Sequence, residues 1–174
     1  MTPEITIRAA EPDDFRRPLP RCVWDNGMAM PGTGGGDRTI SSVSWAEANG
    51  ERVGMLAGRA VAGEASRPQA FVRIERGLFI EIAALAAGTW LIQGFGVDPD
   101  WRGKGVEESL LDEAVRCSNS AGLSGVSTVI GRTASDLIAW FENNGFTARA
   151  ECNGAYGAVA APVTWVLLVR ETLH

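Results

Sequence analysis

Residues 97–106 read Val97-Asp-Pro-Asp-Trp-Arg-Gly-Lys-Gly-Val106, and this stretch decides the fold. The residues before it, Thr89 to Val97, are rich in strand formers such as Trp90, Ile92 and Phe95. Asp98-Pro99 stops that strand, because proline restricts the residue before it and cannot donate to a ladder. After Gly105, apolar residues recur at Val106, Leu110, Leu111, Ala114, Val115 and Cys117, the spacing of one helix face, with Gly122 as the stop. On that helix Asp112 and Arg116 stand four apart and are expected to form an ion pair. A strand, a glycine-containing turn and a helix start leave several amides unpaired and bring the positive end of the helix dipole to one spot, which is a physical anion site. Arg102 and Lys104, the only lysine in the chain, add positive charge to the same turn.

Outward from this segment, strands and helices alternate. Glu4 to Arg8 alternates apolar and polar residues and reads as a strand, followed by a capped helical turn at Glu11-Pro-Asp-Asp-Phe15. Arg16 to Thr39 carries Pro18, Pro20, Pro31 and Gly34-Gly-Gly36 and reads as loop. Asn49-Gly50, between Ser42–Ala48 and Arg52–Val61, suits the positive φ angles of a tight hairpin. Gln69 to Ala87 fits a helical face and an extended chain equally. Beyond the central helix come a strand at Val126–Ile130, a helix from about Ala134 to Asn144 with Ser135 as N-cap and Gly145 as stop, and strands near Phe146–Cys152 and Val163–Arg170. This order implies an α/β (α+β) domain with a central sheet covered by helices on both faces.

The 174 residues are expected to form a single domain, 1–174. Sixteen Lys+Arg against 21 Asp+Glu give a net charge of −5, and no basic run stands out, so neither nucleic acid nor an anionic membrane is an expected partner. The one histidine is His174, which argues against histidine triads, a His-ligated metal centre and histidine general-base chemistry. Cys22, Cys117 and Cys152 are an odd number without C-x-x-C spacing, which reads as reduced, cytoplasmic thiols. The N-terminus has no signal-peptide pattern, and the longest apolar stretch, Leu78 to Ile92, falls short of the roughly 20 residues a membrane helix needs.

At Arg102-Gly-Lys-Gly105-Val-Glu107, after a strand ending in Val-x-Pro, the chain resembles the GNAT superfamily of acyl-CoA-dependent N-acetyltransferases, whose signature is Arg/Gln-x-x-Gly-x-Gly/Ala. Ile5–Phe15 is similar to the family's opening strand and turn, and Trp140-Phe-Glu-Asn-Asn-Gly-Phe146 to its late aromatic-x-x-x-Gly-Phe element. The resemblance implies a mixed, mostly antiparallel sheet of six to seven strands that parts between the fourth and fifth. It implies that Arg102, Gly103, Lys104, Gly105, Val106 and Glu107 hold the pyrophosphate of acetyl-CoA or another short acyl-CoA, and that the backbone of Phe95, Gly96 and Val97 holds the pantetheine. No metal is implied. The acceptor would be a small-molecule amine attacking the thioester directly, with Trp24, Met28, Trp90 and Gln93 as candidate acceptor contacts and Glu81 or a water as base. A homodimer, with Val163–Arg170 at its interface, is a further implication.

The sequence departs from the family pattern at three positions. Glu107 replaces the second Gly/Ala and puts a carboxylate beside the expected pyrophosphate. Ala134 stands where an asparagine often helps hold the cofactor, and Phe141 where a tyrosine commonly protonates the thiolate. These departures motivate an alternative: a GNAT-fold protein that no longer uses acyl-CoA and serves as a ligand-binding or resistance module, or as a lyase or cyclase.

Overall fold

Asn49 and Gly50 take φ values of 53° and 79°, closing the hairpin between β2 (Ser42–Ala48) and β3 (Glu51–Ala60). In the computed structural model, which describes residues 4–16, 42–63, 72–74, 82, 84–154 and 163–172, this hairpin forms one wing of a single sheet. β1 (Ile5–Ala9) pairs antiparallel with β2, and β3 pairs antiparallel with β5 (Thr89–Val97). β5 runs parallel to β6 (Gly125–Gly131), which pairs antiparallel with β8 (Val163–Glu171), and β8 with β7 (Thr147–Gly154). The three-residue β4 (Val72–Ile74) lies parallel to β7 at the edge, giving the order β1-β2-β3-β5-β6-β8-β7-β4. The sheet is therefore mixed and mostly antiparallel. Among the described residues it has eight strands, because part of the segment that fits helix and strand equally adds β4.

The main helices are α1 (Val106–Ser120) and α2 (Ser135–Asn143). Both end on glycines with positive φ, Gly122 and Gly145, in the same way. Leu123 N donates to Ser118 O and Gly122 N to Asn119 O after α1; Phe146 N donates to Phe141 O and Gly145 N to Glu142 O after α2. These are Schellman closures, and the Phe141 and Phe146 rings, 4.9 Å apart, supply the accompanying apolar contact. At the N-terminus of α2 the cap is Ala134, not Ser135: Ser135 is already helical and its hydroxyl turns to Asp136, 3.5 Å away.

The expected Asp112–Arg116 pair does not form. Arg116 instead donates to Glu113, with Nε 2.7 Å from Oε2. Glu113 faces the sheet and is only 8% exposed, whereas Asp112 lies in water, so the buried carboxylate attracts the guanidinium more strongly. Ser44 on β2 donates a second bond to Glu113 at 3.2 Å and ties α1 to the β1–β3 wing. Burial pushes the Glu113 pKa up, but donation from Arg116 and Ser44 outweighs it and leaves the group below its ordinary value. Burial, reinforced by the Glu113 charge, pushes the Cys117 thiol up.

Two apolar clusters hold the sheet. The first joins Leu56, Trp90, Ile92, Phe95 and Val97 to Val106, Leu110 and Ala114 of α1 and Phe141 of α2. The second, from the opposite face, joins Val61, Leu91, Val129, Trp165 and Leu167 with Ile82 and Ala86. A polar clamp fixes the N-terminal wing. Asp14 accepts from Arg8 Nη1 and Nη2 at 2.6 and 2.8 Å, while Arg52 donates to the Asp14 carbonyl at 3.0 Å and covers the Trp45 ring at 4.9 Å. Among the described residues no helix is long and apolar enough to cross a membrane, and no group of three or more His, Cys, Asp or Glu could hold a metal.

Candidate functional site

β5 and β6 stay together only from Thr89↔Gly125 to Ile92↔Thr128. Beyond that point β5 continues on β3 as far as Val97↔Gly54, and β6 on β8 as far as Gly131↔Trp165, so two neighbouring parallel strands part in the middle of the sheet. Buried hydroxyls stitch the closed end: Thr89 Oγ1 and Ser127 Oγ lie 2.6 Å apart, and Thr128 Oγ1 reaches Ile92 O at 3.5 Å. From Gln93 to Val97 the edge of β5 towards β6 has no ladder partner among the described residues, which leaves backbone donors and acceptors for a ligand. This is the opening expected between the fourth and fifth strands, here β5 and β6 because β4 precedes them.

Where the strands part, β5 carries a bulge. Ala57 pairs with Gly94 and Gly58 with Ile92, so Gln93 is an extra residue. Ile92 and Phe95 both enter the cluster under α1, which puts Gln93 and Gly94 together on the opposite face. The Gln93 Oε1 is shielded from water and has no hydrogen-bond partner among the described residues.

At the end of β5 a turn leads into α1. Asp98 accepts from Asp100 N at 2.9 Å and Pro99 opens a short 3₁₀ turn, after which Gly103 and Gly105 take φ values of +68° and +89°. Only glycine adopts such angles without strain. Ser109 N reaches back to Gly105 O, but the amides of residues 105–108 have no acceptor among the described residues. They form the donor set expected of an anion site. Arg102 is exposed, and Lys104 turns its ammonium back over the Trp101 ring at 5.2 Å. The Glu107 carboxylate folds over the turn, with Oε1 and Oε2 at 3.2 and 3.3 Å from Gly103 N. The residue that departs from the family signature thus occupies one of the signature's own amide donors.

The other singled-out residues fall in three groups. Phe95, Gly96 and Val97 lie on the unpaired length of β5, and the Phe95 ring packs 5.4 Å from Trp140 and 5.7 Å from Phe141. Trp90 lies in the core, with its ring against Gly58, and Phe141 is fully buried. Trp24, Met28 and Glu81 lie outside the described residues. Sequence reasoning passed over Arg59 on β3, opposite Leu91, whose Nε is shielded from water and unpartnered among the described residues. The available signal was an arginine inside the apolar run Val53 to Val61.

No family model matches the chain, and no curated protein matches it in sequence. Solved structures do match. Nourseothricin acetyltransferase is 14% identical, with a TM-score of 0.65 over 96% of this chain and 98% of the other. A protein of Bacillus anthracis str. Ames, provisionally named a streptothricin acetyltransferase and solved with acetyl coenzyme A, is 11% identical, with a TM-score of 0.65 over 98% and 99%. The ribosomal-protein-S18-alanine N-acetyltransferase of Escherichia coli is 14% identical, with a TM-score of 0.61 over 97% and 94%. Their names point to acceptors as different as nourseothricin, streptothricin and a ribosomal-protein alanine, so what they share with this chain is architecture. With its sheet parted between two parallel strands and a glycine turn leading into α1, the chain has the GNAT acetyltransferase fold.

Proposed function

We propose that the protein transfers an acetyl or other short acyl group from acyl-CoA to an amine of a small molecule. The observation that carries this reading is the coincidence of two features at one end of β5: a strand edge from Gln93 to Val97 and amides at residues 105–108, both without partners among the described residues. The edge fits the amide-bearing pantetheine and the helix start fits the pyrophosphate. Acyl-CoA supplies an activated thioester. The chain's part is to hold it extended along β5, to place the amine beside its carbonyl carbon and to take up the amine's proton. The C–N bond forms as the C–S bond breaks. Glu81 or a water receives the proton, and solvent reprotonates the thiolate, because Phe141 has no proton to give.

The Glu107 contact favours a second reading, in which the acyl-CoA site has been closed and the fold serves another ligand. Calorimetric titration of acetyl-CoA and of CoA into the wild-type and Glu107→Gly proteins separates the two. Binding to wild type, changed only modestly by Glu107→Gly, supports the acyltransferase reading. Absence of binding to wild type together with gain of binding in Glu107→Gly overturns it and supports a closed site.

A further inference from the structure

The face of the sheet opposite α1 carries two polar atoms that the described residues leave unsatisfied, on adjacent strands beside the bulge. One is Gln93 Oε1 on β5, which only accepts; the other is Arg59 Nε on β3, which only donates and belongs to a permanent cation. Arg59 stands opposite Leu91, two residues before Gln93, so the two are diagonal neighbours on one face. Such neighbours lie about 7–8 Å apart at their bases, within the span of a small molecule and of a long arginine side chain. Between and beside them the same face carries Ala57 and Gly94, two small residues that are both buried.

A shielded polar atom without a partner costs stability, the more so on a charged group, and a ligand that pairs it recovers that cost. The two atoms ask for different partners. The amide oxygen takes an N–H; the guanidinium takes an oxyanion, which its planar fork can grip through two bonds. We propose that the acceptor is an amine that also carries an anionic oxygen group, a carboxylate or phosphonate, with the anion on Arg59 and the amine N–H on Gln93. Arg59 then sets specificity and Gln93 positions the amine where β5 and β6 part. The inference rests on the acyltransferase reading and deepens it by naming the acceptor class.

The test compares L-glutamate, β-alanine and 2-aminoethylphosphonate with glutamate dimethyl ester, β-alanine methyl ester and propylamine, at saturating acetyl-CoA with thiol-release detection. Binding of the same compounds without acetyl-CoA is followed by thermal shift. Wild type is expected to favour at least one anionic amine over its neutral counterpart by tenfold or more in kcat/KM or in affinity. Arg59→Gln is expected to abolish that preference while leaving acetyl-CoA affinity unchanged, Arg59→Lys to restore part of it, and Gln93→Met to raise KM more than it lowers kcat. Equal use of charged and neutral amines overturns the inference. So does a preference that survives Arg59→Gln, or binding of acetyl-CoA without response to any anionic amine; in that last case the acyltransferase reading stands. Charge-dependent binding without acetyl-CoA affinity supports the anion subsite and overturns the acyltransferase reading alone. Circular dichroism of each variant establishes that a lost preference is not a lost fold.

Discussion

Gly58 and Gly105 show two different reasons for a glycine, and substitutions separate them. A methyl group on Gly58 would lie 2.3 Å from the Trp90 ring and 2.6 Å from the Leu91 carbonyl, so both a buried side chain and a neighbouring strand would have to move. Gly58→Ala is expected to cost about 1–3 kcal/mol, read from the urea midpoint, and to disturb the bulge because Gly58 pairs with Ile92 just before it. At Gly105 space is ample, the nearest atom being Ile5 Cδ1 at 3.8 Å, and the constraint is the backbone angle of +89°. Gly105→Ala is expected to cost about 1–2 kcal/mol in stability. Under the acyl-CoA reading it also lowers CoA affinity, because relaxing the angle re-aims the amides that follow. A variant with wild-type CoA affinity would show that those amides do not hold the ligand. Gly105 was legible in the sequence, since a glycine between a strand and an amphipathic helix is a recognisable signal. Gly58 was not, because its neighbour lies on another strand.

At the scale of elements, legibility follows how local the cause is. The limits of β5 and α1 were readable because Asp98-Pro99 and Gly122 act on the backbone within a few residues. The Asn49-Gly50 hairpin was readable for the same reason. The bulge at Gln93 was not, since Ile92-Gln-Gly-Phe95 reads as an ordinary strand until β3 fixes its register. Spacing also misdirected the Arg116 pair, because it tells which carboxylates are in reach but not that Glu113 is the buried one. The helix α2 joins a local stop to a non-local anchor: its closure at Gly145 brings Phe146 onto Phe141, and Phe141 reaches Phe95 on β5. Phe141→Ala removes the ring shared by all three and is expected to cost about 3–5 kcal/mol in chemical denaturation. A loss below about 1 kcal/mol would mean that α2 docks without its aromatic anchor.

At the scale of the molecule, the order of strands was not legible from periodicity. No local pattern says that the last strand, β8, inserts between β6 and β7, and the parted sheet entered the reading only through the family resemblance. What the sequence also hid is that two carboxylates hold the two ends of the N-terminal wing. Asp14 clamps β1 through Arg8, and donation from Arg8 and from the Glu11 amide holds its pKa well below the usual carboxylate range. Glu113 joins α1 to β2, and its pKa is also lowered. A carboxylate with a lowered folded-state pKa stabilises the fold at pH values above its unfolded pKa, about 4, and loses that contribution as pH falls through the folded value. The raised pKa values of Arg8 and Arg116 add nothing to the acid limb, because both stay charged throughout it. Melting temperature is therefore expected to hold level from about pH 8 to pH 5 and to fall steeply below about pH 4. Asp14→Asn and Glu113→Gln should each lower it at pH 7 and flatten the acid limb. They should act nearly additively, because they secure different joints of the wing. An acid limb as steep in the double variant as in wild type would move the cause of acid unfolding to carboxylates elsewhere.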